Sequence, residues 1–264
     1  MTRHASVLVV TLSLAIGSAT LPAPALAQTV AAADATPQWA VPDEDGLSLR
    51  NIVAEAFSDL TRLPSWETAT ILSIGGVGAA AGHRWDRDMS ASMATSRDLG
   101  RALNAGGTLG SMQMQAAAAF ATYAIGRATN HPKAAAIGAD LIQAQIVAQV
   151  TTQGVKFAAG RTRPDGTSLS FPSGHTASAF ATATVLQRNL GWKVGVPAYA
   201  VAAYVGASRI QDKRHYLSDV AFGAALGIVA GRSVTVGSGS GRFAIAPAPA
   251  PGGGGVSVTW LGAR

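Results

Sequence analysis

Phe171-Pro172-Ser173-Gly174-His175-Thr176 reads as the opening of a helix that continues through Ala177, Phe180, Thr184 and Leu186. Ser173 is a favourable N-cap residue, since its hydroxyl can accept from a free amide of the first turn. Gly174 lets another group approach the backbone closely. The unpaired N–H groups of that turn point at whatever precedes the helix, which makes its start an anion site. Ser173 can add a hydroxyl donor, and His175 can protonate an alkoxide leaving group. Taken alone, the same six residues also fit an ordinary capped helix with an exposed histidine.

Helical patterning extends to either side. Leu49, Ile52, Val53, Ala56, Phe57 and Leu60 recur at helical spacing, and Pro64 ends that run. Glu67 to Gly82 is a second, Ala- and Gly-rich segment, followed by a charged joint at His83 to Asp88. Asp86 to Asn104 is amphipathic and Gly110 to Ala128 largely apolar. His131-Pro132 starts a long helix towards Lys156, and three more follow over Ser173–Asn189, Lys193–Gln211 and His215–Gly231. The expected fold class is all-α: a single bundle of about seven to eight helices with a short β-like C-terminal appendage. The appendage rests on Val234-Thr-Val, Phe243-Ala-Ile and Val256–Trp260, with a Pro/Gly-rich separator over Ala246–Gly255.

The chain has 264 residues, 48% of them hydrophobic and 13% charged, which is enough to bury a core and excludes a disordered polyelectrolyte. A net charge of +6 and a pI near 10.2 suggest anionic partners. The basic residues are dispersed, without a Lys/Arg run or an aromatic-rich stripe, so nucleic acid is not expected. With no cysteine, disulfides, thiol catalysis and Cys-based zinc sites are excluded. Arg3, the apolar stretch Val7–Ile16 and Ala25-Leu26-Ala27 read as an export signal over residues 1–27. A flexible leader is expected over 28–46, a helical domain over 47–232 and a strand-bearing tail over 233–264. Location is expected in the periplasm or on the outer face of the membrane. The apolar runs Val194–Ala207 and Val220–Ala230 are shorter than a bilayer span and rich in Ala and Gly, so a soluble or peripheral protein is favoured over an integral one.

Two further segments flank the first in function. In Lys156-Phe-Ala-Ala-Gly-Arg-Thr-Arg163-Pro164, the proline disfavours helix at Arg163. That puts Lys156 on a last helical turn and Arg163 on the loop beyond, where both can reach one anion. Arg offers a planar fork for phosphate oxygens and Lys a point charge. In Ser208-Arg209 with His215 and Asp219, a helix starting near His215 would place His215 and Asp219 on one face. A carboxylate there fixes the imidazole tautomer, leaves the other nitrogen as nucleophile and stabilises the cation formed on attack. The short acidic run Asp43-Glu44-Asp45 lies far upstream, so no metal is expected.

The order Lys, six residues, Arg-Pro; then Pro-Ser-Gly-His; then Ser-Arg, five residues, His, three residues, Asp resembles the three-part signature of the type 2 phosphatidic acid phosphatase and vanadium-dependent haloperoxidase superfamily. Every signature position between Lys156 and Asp219 is filled. The resemblance implies that Lys156, Arg163, Ser173, the Gly174 amide and Arg209 bind phosphate. It implies that His215 is the nucleophile oriented by Asp219, and that His175 protonates the leaving oxygen and then activates water. It implies no cofactor, with vanadate expected only as an inhibitor or transition-state mimic. The implied substrate is a phosphorylated lipid, an isoprenyl pyrophosphate or a soluble phosphate, with peripheral membrane contact compatible. The competing readings are a vanadate-dependent haloperoxidase and an inactive envelope protein that binds anionic lipid. Trp66, Trp85, Trp192 or Phe171 at the pocket lip would favour a lipid tail. His83, His131 and Asp140 are expected on the surface, while Arg161 is either a substrate-lip residue or a surface charge.

Overall fold

Serines start half of the described helices, each by the same device. In the computed structural model, which describes Thr11–Ser13, residues 48–234, Arg242–Ala250 and Gly253–Leu261, five serine hydroxyls accept from a first-turn amide. Ser48 caps α1 (Leu49–Arg62), Ser65 caps α2 (Trp66–His83) and α3 (Asp86–Thr95) follows. Ser96 caps α4 (Arg97–Leu103), and a single turn, α5 (Gly106–Leu109), leads to α6 (Met112–Ala128), capped by Ser111. Pro132 occupies the first turn of α7 (Pro132–Ala159), where its missing N–H costs nothing. Ser173 caps α8 (Gly174–Leu190), followed by α9 (Trp192–Gln211) and α10 (Leu217–Val234). Each such cap is worth ~1 kcal/mol. Gly160, at φ +56, ends α7 in the left-handed conformation that a Cβ disfavours.

The helical region is all-α. It holds ten helices among the described residues, against the seven or eight expected. The excess comes from the 86–104 segment and its successor. Ser96 leaves helical geometry at ψ 109 and caps a new helix, splitting the segment in two. The Gly106–Leu109 turn adds a third piece.

The 28-residue helix α7 lies at the centre and packs against α1, α6, α8 and α10. Its Ile137, Leu141, Ala144, Val147 and Ala148 form the main core with Ala119 of α6, Ala181 and Val185 of α8, and Ala230 of α10. Val147 and Val185 are fully buried, each worth about 1.5–3 kcal/mol. Helix α10 lies on α8 through Gly223, Gly227 and Gly231, one residue per turn. A Cβ at Gly227 would sit 2.3 Å from the Ala177 carbonyl oxygen, so this seam closes only because it lacks side chains. The seam brings the start of α10 against Ser173 at the start of α8.

Helix α10 is the one helix among the described residues long and apolar enough to cross a membrane, and half of it is buried within the helical unit. The strands belong to a separate unit. There β3 (Gly253–Leu261) pairs antiparallel with β1 (Thr11–Ser13) and β2 (Arg242–Ala250), with Phe243 opposite Trp260. The strands run further than expected. Ala246–Ala250 and Gly253–Gly255, read as a separator, continue the ladder. Val234, read as strand, ends α10. Apart from Thr11–Ser13, the export signal over 1–27 and the leader over 28–46 lie outside the described residues.

Candidate active site

Lys156 stands in the last turn of α7, and Arg161 and Arg163 stand on the loop after it, as the Arg163-Pro164 step dictates. The loop is tied down from inside. Lys156 is buried and donates from Nζ to the Leu169 carbonyl at 2.6 Å, while the Ser170 amide donates to the Arg161 carbonyl at 2.7 Å. Burial, with the Arg163 charge adding, pushes the Lys156 ammonium down to about 8, and Asp219 opposes this. Arg163 carries an Nε that is buried and has no hydrogen-bond partner among the described residues.

The loop returns through a cis Phe171–Pro172 bond to Ser173. Ser173 is fully buried; its hydroxyl accepts from the Thr176 amide and hydroxyl, and its own N–H donates to the Asp219 carbonyl at 3.0 Å. Gly174 and His175 form the first turn of α8. His175 is pushed down to about 4, chiefly by burial and then by the charges of Arg209, His215, Arg163 and Lys156. Residues from three separate stretches of sequence thus lie near enough to act on His175 in the first turn of α8.

Arg209, in the last turn of α9, is buried and paired with Asp212, and its Nε donates to the Ser208 hydroxyl at 3.3 Å. Its cover comes from a part of the chain that the motifs leave out. A Cβ at Gly107 would lie 2.6 Å from Arg209 Nη2, and one at Gly106 would lie 2.3 Å from Ser208 Oγ. A Cβ at Gly110 would lie 2.3 Å from Val205 Cγ1 and 3.1 Å from His175 Cβ. The α5 turn and the residue after it therefore wall the site through glycines, where no side chain intervenes. Gly106-Gly107 in the sequence marks the turn but not what it covers.

His215 and Asp219 meet differently from the expected helix-face pair. Helix α10 begins at Leu217, so His215 precedes it, held by a bond from its N–H to the Arg209 carbonyl at 3.1 Å. Asp219 lies in the first turn, and its Oδ2 accepts from the Tyr216 amide at 2.8 Å. The pair still approaches, with His215 Nδ1 3.6 Å from Asp219 Oδ2, an ion-pair distance longer than a hydrogen bond. Burial pushes His215 down, with Lys156 and Arg163 adding to it and Asp219 opposing.

Asp219 is fully buried yet well supplied with donors. Ser170 Oγ donates to Oδ2 at 2.5 Å and Arg161 Nη1 to Oδ1 at 2.6 Å. Burial works to raise this carboxyl, but His215, Ser170, the Tyr216 amide and Arg161 together hold it below the usual carboxylate range. Ser170 was not singled out by the sequence, and Arg161 is mostly buried and lines an open cavity beside Phe171 and Phe222. It bridges Asp219 to the buried Asp86 of α3, to which its Nη2 donates at 2.7 Å. His83 is mostly exposed and bonds Asp86, and His131 is exposed, as expected. Asp140 departs from expectation: it is partly buried and accepts from Asn189 Nδ2 at 2.9 Å. Of the four aromatic residues, Phe171 adjoins the site loop and stacks on Phe222 with centroids 4.9 Å apart. Trp66 and Trp192 are exposed at the starts of α2 and α9. No cluster of three or more metal-ligating side chains occurs among the described residues.

Residues 137–239, which contain Lys156, Arg163, Ser173, Gly174, His175, Arg209, His215 and Asp219 but neither Asp86 nor the glycine wall of α5, match the sequence model of the PAP2 superfamily. The chain is 50% identical over 80 residues to a lipid A 1-phosphatase of Porphyromonas gingivalis, covering 29% of this chain and 18% of that protein. A probable diacylglycerol pyrophosphate phosphatase of Schizosaccharomyces pombe is 39% identical over 72 residues, covering 22% of this chain and 26% of that one. The chain thus spans about a fifth to a quarter of the length of these relatives. Among solved structures, Aquifex aeolicus LpxE is similar at 23% identity and a TM-score of 0.49, over 57% of this chain and 94% of that one. A transmembrane PAP2-type phosphatidylglycerolphosphate phosphatase from Bacillus subtilis follows at 17% identity and a TM-score of 0.46, over 71% and 94%.

Proposed function

We propose that this protein is an exported, metal-independent phosphatase that cleaves phosphomonoesters or pyrophosphates through a phosphohistidine. The observation that carries the reading is the convergence of His175, His215, Lys156, Arg163 and Arg209 on the N-terminus of α8, with Asp219 behind His215. Cations and helix amides neutralise charge spread over the equatorial phosphoryl oxygens, where electrostatic preorganisation is the largest catalytic effect. His215 is held neutral by burial, so the ring nitrogen facing away from Asp219 keeps its lone pair and attacks phosphorus in line. The P–O bond to the leaving group breaks, and the alkoxide takes a proton from His175. His175 then removes a proton from water, whose oxygen attacks the phosphohistidine and releases inorganic phosphate and His215. His175 is neutral at pH 7 among so many cations. A bound phosphate dianion counters those charges and returns the ring towards the protonated form that a general acid needs.

Lipid phosphates are the favoured substrate class, because both curated relatives are named for phosphatases of lipid phosphates. Peripheral contact with a lipid surface fits the exposed Trp66, Ile74 and Val77 of α2 and Trp192 and Val196 of α9. The reading includes no cofactor, and vanadate acts as an inhibitor that mimics the pentavalent phosphorus.

The test is phosphate release in EDTA from phosphatidic acid, phosphatidylglycerophosphate, undecaprenyl pyrophosphate and p-nitrophenyl phosphate, with His215→Ala as control. EDTA-resistant, vanadate-sensitive release that disappears in the control is expected, with the lipid substrates preferred. Silence across the panel from folded protein, or release that survives His215→Ala, overturns the reading.

A further inference from the structure

Behind the His215–Asp219 pair lies a second buried carboxylate that the phosphatase reading does not use. Asp86 begins α3 and is almost fully buried. It accepts from the Ser218 amide at 2.9 Å and the Ser218 hydroxyl at 2.6 Å, so it holds the first turn of α10 from outside the PAP2 segment. His83 bonds the same carboxylate at 2.8 Å. Between Asp86 and Asp219 stands the Arg161 guanidinium. Its Nη1 donates to Asp219 Oδ1 at 2.6 Å and Ser218 Oγ at 2.7 Å, its Nη2 donates to Asp86 Oδ2 at 2.7 Å, and its plane covers the Tyr216 ring at 4.4 Å.

We infer that Arg161, held by Asp86, is a positioning residue that fixes Asp219 against His215 and sets the charge His215 experiences. The geometry requires a planar fork. Two buried carboxylates this close repel unless one cation lies between them, and the two arms of Arg161 satisfy both while leaving Asp219 Oδ2 for the His215 side. The Arg161 Nη atoms end on Asp219, Ser218 and Asp86, behind the His215–Asp219 pair, so it acts through Asp219. Other titratable groups also face His215: Asp219 from α10, Lys156 from α7, Arg163 from the loop and His175 from α8, while Arg209 of α9 meets it through its backbone carbonyl. None of them changes when Arg161 alone is replaced. Removing its positive charge leaves Asp219 less neutralised, which favours the imidazolium form of His215.

This inference rests on the phosphatase reading for its kinetic arm only. The experiment uses the full chain as wild type, Arg161→Met, Arg161→Lys and Asp86→Asn. It records kcat and KM against pH, and titrates the His215 ring by NMR. In Arg161→Met, kcat should fall about 10- to 100-fold, the loss expected when a reacting group is misplaced by about an ångström, with KM little changed. The acidic limb of kcat/KM and the His215 titration should both move to higher pH. Arg161→Lys should return the titration towards wild type while recovering only part of kcat, since charge is restored without the fork. Asp86→Asn removes a negative charge and should move the titration to lower pH, which a general loss of stability would not do. It also supports the test should Arg161→Met fail to fold. A folded Arg161→Met with an unmoved His215 titration overturns the inference, as does a raised KM with unchanged kcat, which would put Arg161 on the substrate. If wild type releases no phosphate, the phosphatase reading fails, and the NMR titration alone still decides the role of Arg161.

Discussion

Asp219 and Asp140 are both carboxylates taken out of water by the same bundle, and their surroundings drive them in opposite directions. Asp219 receives a guanidinium, a hydroxyl and a backbone amide, and stays ionised below the usual range. Asp140, in the first half of α7, receives one amide arm from Asn189. Burial pushes it up to about 6, and the nearby Asp59 and Glu55 charges add to the shift. Burial disfavours the charge in each case; the number and charge of the donors decide whether it survives. A carboxylate wired to three donors is built to remain an anion beside His215. One given a single neutral donor is a tolerated cost of packing.

The sharpest test of this contrast exchanges each carboxylate for its amide. Asp219→Asn should lower kcat on the order of 10²- to 10⁴-fold, the range for a triad carboxylate that orients an imidazole. An amide neither stabilises the His215 cation nor accepts fully from Arg161, Ser170 and the Tyr216 N–H. Asp140→Asn should leave kcat unchanged. Steady-state rates of the two folded variants on one substrate check this. Equal rates for Asp219→Asn and wild type would break the comparison, because the donors around Asp219 would then serve folding alone.

A smaller effect separates the two histidines. Among the described residues no carboxylate acts on His175, which owes its low value to burial and to cations, so its proton is available when phosphate binds. His175→Ala should slow alkyl phosphates by ~10²-fold, with a clearly smaller loss for p-nitrophenyl phosphate, whose leaving group needs no proton. Equal losses for both substrates would remove His175 from the leaving-group step.

The sequence carried the parts of the site that are local. A serine before an apolar run caps a helix, Arg163-Pro164 leaves one, and the spacing of Lys156, Ser173, Arg209 and His215 follows from three short segments. Parts that depend on distant pairing were not legible. Arg161 meets Asp86 across 75 residues, and Asp86 meets Ser218 across 132, so neither partner marks the other in sequence. The Gly106–Gly110 wall was hidden for another reason, since its contribution is the side chains it lacks. In the fold, helical periodicity located the long helices but could not register the break at Ser96, a residue that reads equally as an exposed helical position and as a cap. Asp140 was misplaced because an Ala-rich helix offers small residues on every face, and periodicity then gives no inside or outside.

Asp140 also provides the smallest and most specific prediction. Its folded-state value near 6 lies above the ordinary 3.8, so the native protein binds this proton more tightly than the unfolded chain does. The linked stability is fully present below about pH 3.8 and is lost as pH rises through 6. Above that, the ionised Asp140 is a net cost. A separation of about two pH units corresponds to about 3 kcal/mol at most, and partial exposure reduces this to ~1–2 kcal/mol. Asp140→Asn keeps an acceptor for Asn189 and removes the charge. Its Tm should exceed wild type by roughly 2–6 °C at pH 8 and match it near pH 4. Thermal melts of the two proteins at both pH values check this. A gain of the same size at pH 4 would trace the effect to packing and not to charge, and would leave Asp219 and Asp140 differing in their number of donors but not in the electrostatic consequence drawn from it.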